Sequence, residues 1–214
     1  MWIQYLTDRI GGPEAFNKVV AGESGAWSDP AFTDALTRIQ DMVRAGGLGD
    51  AYASVTADSG ADLAPVHTGK AAMLLQGSWV YANFLNDAPD FMSAGSLGYM
   101  TFPAVDGGKG DASNITGNPA NYWSVSTSGG EDVQRTATDY LNEELYNEQY
   151  VQALVDAGTI PASLDAETVI EASEHAEYLA FGYDLVKNAG NFQMSWDQEL
   201  NRSEERRVGK ECRS

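Results

Sequence analysis

The chain has 214 residues, a hydrophobic fraction of 43% and a formal net charge of −18. This length and apolar content suffice for one good-sized domain or two small lobes, and no run approaches the roughly 18–20 apolar residues of a membrane span. The strong acidity would repel phosphate backbones, so we expect no nucleic-acid partner.

The first strong element is an amphipathic helix that begins at Ser28-Asp29-Pro30, where a capping side chain precedes a proline. Apolar side chains then recur on one helical face; they are Phe32, Ala35, Leu36, Ile39, Met42 and Val43. The glycine pair at 46–47 is typical of a helix end.

Two short strands and a helix are predicted next. The apolar runs 71–75 (AAMLL) and 97–102 (LGYMTF) are typical of buried strands, and Pro103 ends the second. Between them Gly77 turns the chain, and Ser78 can cap a helix that continues to about Leu85.

The segment 106–121 (DGGKGDASNITGNPAN) is dominated by Gly, Asp, Asn and Ser, which predicts a surface loop. Its length suggests a crossing between two lobes. The glycine-rich stretch 107–110 lacks the spacing of a phosphate-binding loop, and no helix starts directly after it. We therefore predict no nucleotide site there.

The rest of the chain is predicted to be mainly helical. A strand at 122–126 precedes a helix over 131–145 and a second helix that ends at Gly158. Asp165 is expected to cap a long helix that reaches about Lys187. Together these elements predict a helix-rich α/β protein of two unequal parts.

The last segment, 202–214 (RSEERRVGKECRS), is rich in charge, poor in apolar residues and without a period. We interpret it as a non-native tail of the vector-derived kind; the alternative is a basic arm for an anionic partner. The only cysteine, Cys212, lies in this tail. Neither an internal disulfide nor a cysteine-ligated metal site is therefore expected.

Motifs for catalysis and metal binding find little support. His67 and His175 have no ligand partner at helical spacing, so no zinc site is expected. The carboxylates are too numerous to single out a glycosidase pair, although Asp197 beside Trp196 would be the first to test. We expect no catalytic residues, no metal ion and no cofactor.

Several segments together resemble the extracellular solute-binding proteins of family 1, the maltose-binding-type carbohydrate receptors of ABC importers. Residues 68–79 (TGKAAMLLQGSW) are similar to the family's GKAAM…GSW signature. Weaker likenesses follow in the family's order at 27–30 (WSDP), 158–163 (GTIPAS) and 195–200 (SWDQEL). Collected in this order, they cover nearly all of residues 1–201.

The resemblance implies a helix-rich α/β fold of the periplasmic-binding-protein type II, truncated because family members are much longer. Most of the N-terminal lobe would be missing. Residues 1–117 would form the core of the C-terminal lobe, and 118–158 a fragment of the N-terminal lobe after a hinge crossing. Residues 159–201 would return to the C-terminal lobe, and 202–214 would be the tail.

The resemblance also implies a function without chemistry: a carbohydrate is held between two lobes and delivered to the permease subunits of an ABC importer. The protein would be a monomer outside the cytoplasmic membrane, periplasmic or a cell-surface lipoprotein, associated with the membrane only through a lipid anchor or the permease. The start of the chain lacks the character of a signal peptide, so the export signal would lie upstream. A glycoside hydrolase and a non-functional fragment are the alternatives.

Aromatic side chains are the expected ligand contacts, because an indole covers the C–H face of a sugar ring while polar groups satisfy its hydroxyls. The resemblance implies that Trp79 and Trp196 stack on sugar, with Trp2 as a looser third contact. The other predicted contacts are Tyr81, Asn83, Asn118, Tyr122 and Asp197. The alternative for each tryptophan is a place in the core, where such side chains usually lie.

Overall fold

The computed structural model describes residues 1–49, 52–56, 60–118, 122–145, 147–163 and 166–200. Within these ranges the chain is mainly helical, with one two-stranded sheet. It divides into two compact units. Unit 1 holds the described residues of Met1–Gly77, Asp90–Asn118 and Leu185–Ser214, and unit 2 holds those of Ser78–Pro89 and Pro119–Asp184.

Unit 1 is built around three helices and a pair of strands. The helices are α1 (Trp2–Gly11), α2 (Pro13–Val20) and α3 (Pro30–Arg44), with the short α4 (Ala64–His67) after them. Strand β1 (Ile115–Gly117) pairs in parallel with β2 (Phe192–Met194), which is followed by α11 (Trp196–Glu199). The most buried apolar side chains of the three helices are Leu6, Ala15, Phe16, Val19, Ala31, Phe32 and Ala35.

Unit 2 is helical throughout its regular structure in the described ranges. It contains α5 (Val80–Asp87), α7 (Gly130–Glu144), α8 (Glu148–Asp156), α9 (Glu167–Glu171) and most of α10 (Ala176–Lys187), while α6 (Pro89–Ser93) follows α5 across the unit boundary. Its core side chains include Phe84, Val151, Val155, Ile170 and Leu179.

The predicted first amphipathic helix is confirmed as α3. The Asp29 side chain accepts a hydrogen bond from the Ala31 backbone N–H at 3.0 Å, and Pro30 is the first helical residue. The first turn of a helix leaves backbone N–H groups without partners. The Asp29 side chain satisfies one of them, and Pro30 has no N–H group to satisfy. The helix expected over 131–145 is confirmed as α7, and the one ending at Gly158 as α8.

The three predicted strands are wrong. The segments 71–75, 97–102 and 122–126 are described without a strand ladder. A strand needs hydrogen bonds from a second segment, and a short apolar run supplies only the side-chain pattern. Conversely, the loop predicted over 106–121 contains strand β1 at 115–117, where the buried Ile115 pairs with Phe192; residues 119–121 lie outside the described ranges.

The long helix predicted to reach Lys187 is divided into α9 and α10. The side-chain oxygen of Ser173 accepts a hydrogen bond from the His175 N–H at 3.0 Å, which favours a turn over a continued helix. The predicted cap Asp165 lies outside the described residues. The predicted side-chain cap at Ser78 is also wrong, because α5 begins at Val80 without one.

The helix-rich prediction is confirmed, and the described strands form a small parallel sheet at positions that were not predicted. One unit boundary falls between Asn118 and Pro119, next to the crossing expected at residue 118. The assignment of the segments to two lobes stays a prediction. None of the described helices combines the length and apolarity that crossing a bilayer requires.

Candidate functional site

The carboxyl ends of the parallel strands gather three predicted ligand residues in unit 1. Asn118 follows β1 and is exposed, while Trp196 and Asp197 follow β2 as the first residues of α11. The Ser195 N–H donates to the Gly117 carbonyl at 3.1 Å and joins the two strand ends. Because ligands of open α/β sheets bind beyond this end of the strands, this edge is the candidate region of unit 1.

Trp2 presents an exposed indole beside the same strand pair. Its ring meets Phe102 edge-on at 5.6 Å, and Tyr5 stacks on Phe102 at 4.8 Å. The Tyr5 hydroxyl accepts a hydrogen bond from the Thr116 N–H at 3.3 Å, which places these rings next to β1. The Trp2 ring therefore lies on the side of α1 that contacts β1, the strand that precedes Asn118.

Asp197 lies near the start of α1. Burial lowers the pKa of the Met1 amino group, and the negative charge of Asp197 opposes that shift. This effect requires the carboxylate to be close to Met1, and hence to Trp2. Asp197 itself is exposed, so its carboxylate is open to a polar ligand.

Trp196 is packed inside an aromatic cluster with Phe16, Trp27 and Phe32. Its side chain is 9% exposed, Phe16 stacks on its ring at 4.7 Å, and Trp27 meets it edge-on at 5.8 Å. Among the described residues its indole N–H has no hydrogen-bond partner. This environment is that of a core side chain, and stacking of Trp196 on sugar stays a prediction.

A buried ionic network that the sequence analysis missed is centred on Asp8 and Arg9 of α1. Asp8 and Arg9 are 3% and 1% exposed, and Arg9 Nη1 lies 2.6 Å from Asp8 Oδ2. Arg9 Nη2 donates to the carbonyl oxygens of Phe102, Ala112 and Asn114 at 3.2, 3.1 and 2.9 Å. The Asn114 side-chain amide completes the network by donating to Asp8 at 3.0 Å. It ties α1 to the chain that leads into β1.

The electrostatics of Asp8 are dominated by its burial, which raises the pKa of the carboxyl. Hydrogen bonds from Arg9 and Asn114 and the charge of Arg9 oppose this rise. The guanidinium also lies over the rings of Tyr5 and Phe102, 5.5 and 5.8 Å from their centroids. One signal was available in the sequence: adjacent opposite charges between Leu6 and Ile10, inside an apolar helical pattern.

The glycine-rich stretch 107–110 closes the carboxyl end of α1. The N–H groups of Lys109 and Gly110 donate to the carbonyls of Ile10 and Arg9, both at 3.2 Å. A Cβ at Gly108 or Gly110 would overlap the backbone carbonyl of the facing helix residue. These glycines therefore allow close backbone approach and supply partners to helix-end carbonyls.

Replacing Gly110 by alanine is expected to cost about 1–3 kcal/mol of unfolding free energy, because the added methyl group must displace the α1 backbone. Urea unfolding followed by circular dichroism measures this loss. The control is Gly98→Ala, since a Cβ at Gly98 meets no atom within 4 Å. Equal stability of the two variants would contradict the proposed close approach.

In unit 2, Trp79 directly precedes α5 and is 58% exposed. Asn83 is also exposed, and its N–H donates to the Trp79 carbonyl at 3.4 Å. Residues four apart lie on the same helical face, so these two side chains are neighbours in solvent. Tyr122, another predicted contact of this unit, is exposed as well.

Tyr81 has a packing role in unit 2. Its ring stacks on Tyr178 at 3.9 Å with an interplanar angle of 4°, and its hydroxyl lies 3.3 Å from His175 Nδ1. Burial raises the pKa of the Tyr81 hydroxyl, and the charges of Glu174 and Glu177 raise it further. Its predicted contact with a ligand stays a prediction.

The chemistry of the described residues points to binding surfaces. Among them no group of His, Cys, Asp and Glu is arranged to hold a metal ion. The exposed aromatic and polar side chains instead offer apolar plates next to hydrogen-bonding groups, an arrangement suited to small polar molecules with an apolar face.

The family model for bacterial extracellular solute-binding proteins matches residues 1–143. The match includes Trp2, Trp79 and Asn118, whereas Trp196 and Asp197 lie beyond it. No curated protein matches the chain.

Proposed function

We propose that this chain, which belongs to the bacterial extracellular solute-binding proteins, binds a carbohydrate and delivers it to the permease subunits of an ABC importer. Membership of the family makes it a solute-binding component of a transport system. The carbohydrate, the ABC permease, a monomeric state and attachment as a lipoprotein belong to the proposal. So do the type II fold and the loss of most of the N-terminal lobe.

The observation that carries the carbohydrate proposal is the exposure of Trp79. An indole that is 58% exposed leaves a large apolar surface in water, which costs free energy roughly in proportion to its area. The C–H face of a pyranose can cover this surface while the sugar hydroxyls stay at its edge. The residue also stands in the segment 68–79 that resembles the family signature.

Polar groups beside Trp79 would supply specificity. Asn83 lies one turn further along α5, and its amide can both donate to and accept from a hydroxyl. A buried hydroxyl without a partner costs about 1–3 kcal/mol, so such groups select among sugars. The formal charge of −18 repels anions, which favours a neutral sugar.

Trp79→Ala is expected to weaken sugar binding by about 1–3 kcal/mol, because the stacking surface is lost. Isothermal titration calorimetry with neutral mono- and oligosaccharides measures the change. The matched control is Trp123→Ala, since Trp123 is also in unit 2 and is 70% exposed. Neither substitution removes a buried side chain, so unfolding free energies should stay close to that of the unsubstituted chain.

Four outcomes would speak against this proposal. Unchanged affinity in Trp79→Ala, or an equal loss in Trp123→Ala, would contradict stacking at Trp79. A chain that binds none of the tested sugars would contradict the carbohydrate assignment. Hydrolysis of an oligosaccharide that is lost in Asp197→Asn would instead support the glycoside hydrolase.

A further inference from the structure

The peptide bond before Trp79 is anchored by a tyrosine of α10. The Tyr178 hydroxyl donates to the Ser78 carbonyl oxygen at 2.6 Å, and that oxygen also accepts from the Tyr81 N–H at 3.4 Å. Tyr178 is buried whereas Ser78 is exposed, so the hydrogen bond is partly shielded from water. Because the Ser78 carbonyl belongs to the peptide unit that joins Ser78 to Trp79, this bond fixes the backbone from which the indole projects.

A second contact joins the same two segments of unit 2. The Tyr81 ring stacks on Tyr178 at 3.9 Å, and the Tyr81 hydroxyl lies 3.3 Å from His175 Nδ1 at the start of α10. Gly158 approaches the Tyr81 ring so closely that a Cβ there would lie 2.9 Å from it. The first turn of α5 is therefore held by packing as well as by the Tyr178 hydroxyl.

The Trp79 ring depends on this backbone anchor for its direction. With 58% of the side chain exposed, packing restricts the ring far less than it restricts a core tryptophan. A binding side chain that is already aligned loses less freedom when the ligand arrives, and the affinity rises accordingly.

We propose that Tyr178 is a positioning residue for Trp79: its hydroxyl bond to Ser78, supported by its stack with Tyr81, aligns the indole for a sugar ring. Tyr178 acts through the backbone and need not touch the ligand. The inference rests on the proposed function of Trp79. It also gives Tyr81 a supporting role in the same arrangement.

The test is Tyr178→Phe, which removes the hydroxyl and keeps the stacked ring. The Ser78 carbonyl retains the Tyr81 N–H as a partner, so the variant is expected to fold. The chain is labelled with 5-fluorotryptophan, and the Trp79 resonance is assigned with Trp79→Phe. In Tyr178→Phe this fluorine resonance is expected to shift and broaden, and maltose binding to weaken about three- to tenfold.

The matched control is Tyr183→Phe. Tyr183 also lies on α10 and donates its hydroxyl to a serine carbonyl, that of Ser163, at 3.5 Å. A general weakening of α10 would affect both variants, whereas loss of the Ser78 anchor affects only Tyr178→Phe. The Tyr183 variant should therefore leave the Trp79 resonance and maltose affinity unchanged.

An unshifted Trp79 resonance in Tyr178→Phe, or an equal shift in Tyr183→Phe, would overturn the positioning role. If the unsubstituted chain binds neither maltose nor any other sugar tested, that result would count against the proposed function instead. The fluorine measurement needs no ligand and still decides the role of Tyr178 in that case.

Discussion

Replacing Asp8 by asparagine is expected to destabilise the chain by about 3–5 kcal/mol, because it leaves a buried guanidinium without its counter-charge. Arg9 is 1% exposed and lies 2.6 Å from the Asp8 carboxylate. The carbonyl oxygens around Arg9 carry only partial charges and replace a carboxylate poorly. Urea unfolding monitored by circular dichroism gives the free energy directly.

The matched control is Asp132→Asn in α7. It removes the 2.7 Å ion pair with Arg135, whose partners are both largely exposed, and an exposed pair contributes about 0–1 kcal/mol. The double substitution of Asp8 by Asn and Arg9 by Met removes both buried charges and should recover part of the loss. Equal stability of the Asp8 and Asp132 variants would contradict the importance of the buried pair.

Trp196→Ala is expected to cost about 3–5 kcal/mol, since it opens a cavity inside the aromatic cluster. Phe16, which stacks on the Trp196 ring at 4.7 Å, and Phe32, which meets that ring edge-on at 5.7 Å, would both lose an aromatic neighbour. Thermal or urea unfolding of the whole chain measures the loss. The exposed Trp123 provides the comparison, because its replacement by alanine creates no cavity.

The same experiment tests the ligand role that the resemblance implies for Trp196. A core side chain loses stability first, and any loss of sugar affinity should follow the fraction of folded protein. Retained stability together with a weaker affinity for sugar would show that Trp196 is primarily a ligand contact and would contradict the core assignment.

Helices of this chain were predictable where the signal is local. Asp29 and Pro30 mark the beginning of α3. Gly158, which has a positive φ of 70°, lies just after the end of α8. Such caps act within a few residues, so the sequence contains all the information that they need. The division between α9 and α10 was missed because a single serine hydrogen bond competes with a longer apolar pattern.

The strands were not predictable, because a ladder depends on a partner that is distant in the sequence. Strand β1 lies in a segment that reads as a loop, and only its pairing with Phe192–Met194 makes it a strand. The apolar runs 71–75 and 97–102 show the opposite case, with a strand-like composition and no ladder in the described chain.

The candidate site was predictable only where its residues lie in a local sequence pattern. The signature-like segment 68–79 indicated Trp79 before its exposure was known. It could not tell that Trp196 packs on Phe16, because no local pattern distinguishes a stacked core indole from a ligand contact. The Asp8–Arg9 pair was missed because charged residues are normally found at the surface.

The closure of α1 by residues 109 and 110 has a consequence for synthesis. The last turn of this helix receives its backbone partners from a segment made much later, and the Arg9 guanidinium must remain hydrated until the carbonyl of Asn114 is available. Helix α1 therefore cannot complete its native contacts until residues 109–114 have been synthesised. These hydrogen bonds join residues that are distant in the sequence, and forming such long-range contacts slows folding.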